Sequence, residues 1–298
     1  MVNFFVDSCV FNTFSNQVIK ITSSNDATKF LGYLSSFYGI TSDADGSSIS
    51  VTNKGSSVLY KICGIKSVAS TDANFARIEV SQLSNNLNYI EMCTLSDCGV
   101  IDKGNDIVDM YYGNYMEKNT NLSKSNTKFD TSLELHTNPI STISFCTFAE
   151  NSAYAYETFL LILYYDTFIK KCNIIKQNVC HSMNGIFLVW GNRKTTISDS
   201  IFIDNVVKTI AYIHSGSSFV LNHCYCDSPL YSFNNQGFLN TENMTTQSFK
   251  NFIGHLNFDK CKAEYIFVYR TKVLGKTIHY IELLLVNLCN LIISWEIT

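Results

Sequence analysis

Proline and charged residues are scarce in this sequence. Pro139 and Pro229 are the only prolines among 298 residues, and 16% of the residues are charged, compared with about a quarter in an ordinary globular protein. The formal net charge is −3 and neither sign forms a long run, which argues against a surface for nucleic acid or anionic lipid. Hydrophobic residues make up 46% of the chain, so it can bury a continuous core and intrinsic disorder is not expected.

The sequence also lacks a clear secretory signal or membrane helix. Met1–Asp7 has no basic start, and its final aspartate interrupts the apolar run, so we expect no signal peptide. The segment 278–295 is very apolar, but Glu282 and two asparagines lie inside it, and such residues are costly at the centre of a bilayer. We therefore favour a terminal β coil over 278–298, with a membrane-anchoring helix at 278–295 as the alternative.

A nine-residue phrase built around cysteine is abundant instead. In Ile143–Asn151 the phrase reads apolar, two variable residues, Cys, one variable, apolar, two variable, Asn. Successive copies place Cys146, Cys172, Ser200 and Cys224 in the same slot at intervals of 24 to 28 residues. A period in this range indicates a solenoid or another repeat array.

The alternation inside the phrase indicates strands. Cys146 and Phe148 are expected on one face of a strand and Thr147 on the other, and no amphipathic helical segment accompanies each copy. Stacked coils pair each strand with its copy one turn away at about 4.8 Å. We therefore predict an all-β, single-stranded right-handed parallel β-helix of about 10–11 coils, one domain over residues 1–298, the hand following from strand twist.

Equivalent positions are predicted to form two inward columns. The cysteine slot gives a column of small side chains: Cys9, Cys93, Cys146, Cys172, Ser200, Cys224, Cys261 and Cys289. The apolar slot two residues later gives a column of large ones: Leu95, Phe148, Ile174 and Phe202. The closing asparagine suits a left-handed turn. The phrase is least regular near 20–80, and the stretches at about 102–138 and 231–250 are interpreted as insertion loops.

The phrases Ile143–Asn151 and Ile197–Asn205 resemble those of right-handed parallel β-helix repeat proteins of the pectate-lyase-like superfamily. In style the chain is most similar to the Cys- and Asn-rich β-helix families of flagellate protists, and it also resembles the repeat regions of polymorphic outer-membrane proteins. The resemblance implies the fold and a place at the cell surface or outside the cell. It does not imply a reaction.

Polysaccharide-cleaving β-helices cluster aspartates on adjacent coils, as acid and base or as calcium ligands. Two sets of aspartates here have such a distribution: Asp97, Asp102, Asp106 and Asp109, and then Asp199, Asp204 and Asp227. The Asn-Thr-Asp, Asp-Asp, Gly-His-Gly and Arg-x-Pro-x-x-Arg phrases of these enzymes are absent. We therefore interpret the aspartates as solvated turn residues and predict no catalytic residue.

Cysteine and histidine do not form a recognisable metal or redox motif. Zinc ligands usually come as paired short spacings, whereas His223–Cys226 and the Cys180-His181 pair stand alone and Cys224 belongs to the inward column. We predict no metal or cofactor.

Stacked cysteines have parallel side chains that bridge poorly, so we expect mostly free thiols, with Cys93 and Cys98 as the exception.

A candidate ligand-contact patch lies within the first insertion. Tyr111, Tyr112 and Tyr115 beside Asp106 and Asp109 could stack on a sugar. The favoured function is therefore a non-catalytic surface or adhesion-type β-helix that binds glycans or proteins. The alternatives are a β-helix polysaccharide lyase or glycoside hydrolase, and a membrane-anchored surface protein. Carboxylates that converge with a basic residue in a lateral groove favour the enzyme, and a flat side with scattered Tyr and Asn favours binding.

Overall fold

The computed structural model describes residues 3–25, 27–53, 55–81, 86–129, 132–137, 141–154, 159–163, 166–179, 185–227 and 237–251. All regular structure in these ranges is β-strand. No helix within them is long and apolar enough to cross a membrane. The predicted coil at 278–298, the alternative helix at 278–295, Cys261 and Cys289 all lie outside the described residues.

Three large parallel sheets contain most of the strands. Sheet A has ten strands: β1 (Asn3–Asp7), β4 (Lys29–Tyr33), β8 (Ser56–Tyr60), β12 (Leu87–Glu91), β15 (Asn114–Lys118), β19 (Ser141–Ser144), β23 (Thr167–Lys170), β27 (Lys194–Ser198), β31 (Ser218–Asn222) and β33 (Phe238–Glu242). Sheet B has nine: β2 (Val10–Asn12), β5 (Ser36–Tyr38), β9 (Cys63–Ile65), β13 (Thr94–Ser96), β16 (Asn121–Ser123), β20 (Thr147–Ala149), β24 (Asn173–Ile175), β28 (Ile201–Ile203) and β32 (Tyr225–Cys226).

Sheet C has eight strands: β3 (Ile19–Ser23), β7 (Ile49–Asn53), β11 (Ala76–Glu79), β14 (Val108–Tyr111), β18 (Leu133–Thr137), β22 (Phe159–Leu163), β26 (Phe187–Trp190) and β30 (Ala211–Ile213). Two small sheets lie between B and C: β6 (Thr41–Ser42) with β10 (Val68–Ala69), and β17 (Asn126–Thr127), β21 (Ser152–Ala153), β25 (Asn178–Val179) and β29 (Val206–Val207).

The chain visits sheets A, B and C in turn and then starts again, so each strand pairs in parallel with its copy one turn later. Ile143 lies opposite Ile169, for example, and Phe148 opposite Ile174. This arrangement is a parallel β-solenoid, which confirms the predicted all-β β-helix. The described residues supply sheets of ten, nine and eight strands.

The position before each sheet-B strand forms the small-residue column. Its members are Cys9, Ser35, Ile62, Cys93, Thr120, Cys146, Cys172, Ser200 and Cys224, all buried except Cys9, which is half-buried. The Cys146 thiol donates to the carbonyl of Ser144 at 3.2 Å, and the Ser200 hydroxyl donates to the carbonyl of Ser198 at 2.9 Å. A small side chain with a donor therefore satisfies the backbone at this bend.

The large-residue column runs through the middle of sheet B. Phe148, Ile174 and Phe202 are in register there and buried, with Leu95 further along the same column. The column is interrupted at Gly64, where an added Cβ would lie 2.3 Å from the Phe75 ring. A residue without a side chain is required at this position, because the Phe75 ring, which precedes β11, fills the space that the column residue would occupy.

The closing asparagine does not occupy the left-handed turn position that was predicted for it. Glu150 takes that conformation, with φ of 59°, and Asn151 follows it with its side chain buried inside the coil. The Asn151 amide donates to the carbonyl of Leu122 at 3.0 Å, and its oxygen accepts from the backbone N–H of Ser125 at 3.1 Å. The asparagine thus links adjacent turns from within.

The stretches predicted as irregular or looped are largely regular turns. Residues 20–80 contain strands β4 to β11, residues 102–138 contain β14 to β18, and Phe238–Glu242 within 231–250 is β33. The phrase is hard to recognise in these turns because Ile62 and Thr120 replace cysteine in its slot, while Tyr115 and Glu117 are inward on β15. The fold tolerates such replacements because pairing depends on the backbone.

Candidate functional site

A row of charged side chains crosses the outer face of sheet C. Arg77 on β11 lies opposite Asp109 on β14, which lies opposite Glu134 on β18. The neighbouring positions in the same strands, Met110 and Leu135 among them, are buried in the core. Because side chains alternate along a strand, the charged row faces away from the coil.

Contacts bind this row into a compact cluster. Arg77 Nε lies 3.8 Å from Asp109 Oδ2, and Arg77 Nη1 contacts the carboxylates of Asp45 and, at 3.5 Å, Asp72. These two aspartates come from the loops that precede sheet C in successive turns. The loops cover the row, so that the Asp109 side chain is only 1% exposed.

His136 completes the cluster on the same strand as Glu134, two residues further on. Its Nε2 lies 2.5 Å from Glu134 Oε1. One ligand-capable atom from each of Asp109, Glu134 and His136 can be chosen so that all three lie within 4.8 Å of one another. Neither carboxylate oxygen of Asp109 has a hydrogen-bond partner among the described residues.

The environment shifts the pKa values of Asp109 and Glu134 in opposite directions. Burial, reinforced by the charge of Glu134, raises the pKa of Asp109 well above its usual value. Burial also opposes ionisation of Glu134, but its hydrogen bonds with His136 and Asp106 and the charge of Arg77 outweigh that effect and lower its pKa. Burial therefore favours the protonated form of Asp109, whereas the contacts of Glu134 favour its ionised form.

A second outward column on sheet C consists of stacked rings. Tyr111 and His136 are in register and stack at 4.4 Å between ring centroids. Two strands further on, Trp190 stacks on His214 at 4.2 Å, and 48% of the Trp190 surface is exposed. Arg77 lies over the Tyr111 ring at 5.1 Å. The column therefore runs beside the charged row along the axis of the solenoid.

The structure brings together only part of the predicted ligand patch. Asp106, Asp109 and Tyr111 lie in or beside the charged cluster, and Tyr112 follows β14 with φ of 62° and its ring 6.1 Å from that of Tyr111. Tyr115 is wrongly placed in the predicted patch. It belongs to β15 of sheet A and is buried in the core, because the chain has turned into the next coil by that point.

Five residues of the outer face were not predicted from the sequence as functional: Arg77, Glu134, His136, Trp190 and His214. One signal for two of them was present in the sequence. Glu134 and His136 alternate with the buried Leu133 and Leu135, the pattern of a strand with one apolar face. Strand β18 was not predicted because residues 102–138 were interpreted as an insertion loop.

The remaining aspartates lie at turns. Asp97, Asp199 and Asp204 adopt left-handed conformations at the corners of sheet B. Asp199 Oδ1 lies 2.8 Å from His223 Nδ1, and the backbone N–H of Asp204 donates to Asp227 Oδ2 at 2.7 Å. No potential metal-binding group in the described residues includes them.

Three of the buried cysteines are free thiols that ionise less readily than an ordinary cysteine. Cys93 and Cys98 are both free, so the predicted exception to free thiols is wrong. Burial raises the pKa of each to about 12. Cys224 is buried in the small-residue column and burial raises its pKa to about 11, which leaves it poorly suited as a nucleophile or metal ligand.

Comparison of the chain with protein-family models, with curated proteins and with solved structures found no match.

Proposed function

We propose that this protein is a β-helix that binds an extended glycan along the ring column on the outer face of sheet C. The observation that carries the proposal is the half-exposed Trp190 ring, stacked on His214 in line with the Tyr111–His136 pair. Amphipathic rings such as these combine an apolar surface for a sugar ring with N–H and O–H groups for its hydroxyls.

The dimensions of the column suit a chain of sugars. Tyr111 lies on β14 and His214 directly follows β30, four strand spacings away in sheet C. At about 4.8 Å per spacing the rings span roughly 19 Å along the solenoid axis. The resemblance to surface-exposed β-helix families supports an extracellular ligand of this kind.

Burial of the carboxylates favours binding over catalysis. An acid or base that cleaves a polysaccharide must reach the glycosidic bond, but the side chains of Asp109 and Glu134 are 1% and 13% exposed. The Trp190 ring on the same face is 48% exposed and can stack on a sugar, but an indole does not act as a general acid or base.

A polysaccharide lyase or hydrolase is the second candidate, because carboxylates and a basic residue do converge here. Arg77 contacts Asp45, Asp72 and Asp109, and Glu134 lies in the next strand. This candidate requires the loops that cover the row to open.

The binding proposal is tested with the purified protein on a glycan array that includes acidic polysaccharides. Trp190→Ala is expected to weaken binding at least tenfold, since the most exposed ring of the column is lost. The matched control is Phe168→Ala, which removes a ring of similar exposure, 46%, from the outer face of sheet A. Absence of any glycan ligand, or equal binding by both variants, would contradict the proposal.

The same polysaccharides serve for the second candidate. Release of reducing ends or of unsaturated products, abolished in Glu134→Gln but retained in Trp190→Ala at saturating substrate, would support an enzyme. Binding without turnover would leave the glycan-binding function and reject the catalytic one.

A further inference from the structure

We propose that Asp109, Glu134 and His136 form a binding site for one divalent transition-metal ion of the zinc type. The three residues converge on the outer face of sheet C, with one ligand atom of each within 4.8 Å of the other two. The site shares His136 with the ring column but does not involve Trp190, whose exposed ring is the basis of the glycan proposal.

The backbone register creates the convergence. Asp109 and Glu134 are direct partners in adjacent parallel strands, and His136 follows Glu134 by two residues on the same face. Side chains in these positions are neighbours without any special loop geometry. The stack of His136 on Tyr111 holds the imidazole plane beside the two carboxylates.

The independent indication of a ligand is the state of Asp109. Its side chain is fully buried, yet neither of its oxygens has a hydrogen-bond partner in the described part of the chain. Buried carboxylates are normally hydrogen-bonded, paired or coordinated to a metal. The contact with Arg77 Nε, at 3.8 Å, is too long to be a hydrogen bond and leaves the carboxylate facing Glu134 and His136.

The carboxyl groups around the site exceed those that Arg77 contacts. Besides Asp109 and Glu134, the cluster includes Asp45, Asp72 and Asp106, and Arg77 contacts three of the five. Arg77 Nη1 contacts Asp45 and Asp72, and Nε approaches Asp109 at 3.8 Å. A divalent ion between Asp109 and Glu134 would bind both of these carboxyl groups in their ionised form.

The ligand types select the class of metal. Calcium and magnesium prefer an all-oxygen shell, whereas an imidazole with two carboxylates suits zinc and related ions. Zinc binds these donors at about 2.0–2.2 Å, so the three side chains would need to rearrange around the ion. Glu134 and His136 would exchange their mutual hydrogen bond for bonds to the ion.

The test uses the full chain, stripped with a chelator and titrated with Zn²⁺ and Co²⁺ by calorimetry and absorption. We expect one ion per chain, a cobalt spectrum without a thiolate charge-transfer band, and a thermal midpoint about 5–10 °C higher at 100-fold excess over the dissociation constant. Asp109→Asn and His136→Gln are each expected to abolish this binding. Asp109→Asn keeps the size and shape of this buried side chain and so should fold.

The matched control is His223→Gln, which disrupts a histidine–carboxylate pair with Asp199 elsewhere on the solenoid. It should bind zinc as the wild type does. The proposal is overturned if the wild type binds neither ion, if either Asp109→Asn or His136→Gln retains binding, if His223→Gln loses it, or if the cobalt spectrum shows thiolate ligation.

Discussion

Inside the coil, the hydroxyl of Tyr115 donates a hydrogen bond to Glu117 Oε2 at 2.8 Å. Both side chains are inward on β15 and are buried among the core residues. The other carboxylate oxygen of Glu117 has no hydrogen-bond partner among the described residues. Burial raises the pKa of Glu117 from 4.5 to about 7, although the bond from Tyr115 acts in the opposite direction.

The stability of the protein is therefore expected to fall as the pH rises from about 4.5 to 7. Across this window the unfolded chain loses the Glu117 proton while the folded chain retains it, so deprotonation favours unfolding. The shift of roughly 2.5 pKa units corresponds to roughly 3 kcal/mol, fully lost above pH 7. Glu117→Gln should remove this dependence and raise the free energy of unfolding at pH 8.

Urea denaturation at pH 4.5 and pH 8 measures the effect of Glu117→Gln. The control is Glu79→Gln, which changes the same group on a partly exposed outer position of β11. An equal change of stability in both variants, or a Glu117→Gln variant that is no more stable at pH 8 than the wild type, would contradict a raised pKa of Glu117 in the folded protein.

Tyr115→Phe tests the same pair from the donor side. The variant leaves the carboxylate without its hydrogen bond, and a buried unsatisfied charged group costs about 1–3 kcal/mol or more. The loss should be larger at pH 8, where Glu117 is charged, than at pH 4.5. Tyr33→Phe, on a partly exposed ring of sheet A, serves as control, and a loss that does not depend on pH would contradict the pairing.

Gly64→Ala is expected to destabilise the protein by about 1–3 kcal/mol through overpacking. The added methyl group would lie 2.3 Å from the Phe75 ring and 2.8 Å from the Leu95 side chain. Phe75→Leu frees part of that space, so the double variant should be more stable than the sum of the two single changes predicts. Additive thermal unfolding data would mean that the two residues do not compete for this space.

Cys93 and Cys98 are expected to resist alkylation in the folded protein. Both are fully buried, with pKa values raised by burial to about 12, so little thiolate is present at pH 8. Peptide mapping after treatment with iodoacetamide should find them unmodified until urea is added. The half-buried Cys9 provides the comparison, and equal labelling of all three in the folded state would contradict the buried column.

The turns that carry the phrase intact could be predicted well. Cys146, Cys172 and Ser200 were recognised by their spacing, and the structure places them in one column. Turns with Ile62 or Thr120 in the slot were missed, since a parallel sheet is held by its backbone hydrogen bonds and requires only a side chain that fits.

The sequence by itself determined the periodic stacking. The same short phrase recurs every 24 to 28 residues, so each copy specifies one turn and can be recognised from its own residues. Only the tertiary structure decided the outer face. Asp109 and Glu134 lie 25 positions apart and Arg77 lies 32 before Asp109, and turns differ in length, so their meeting depends on the register of whole coils. Burial of Asp109 depends in addition on the loops that cover it, which no single strand encodes.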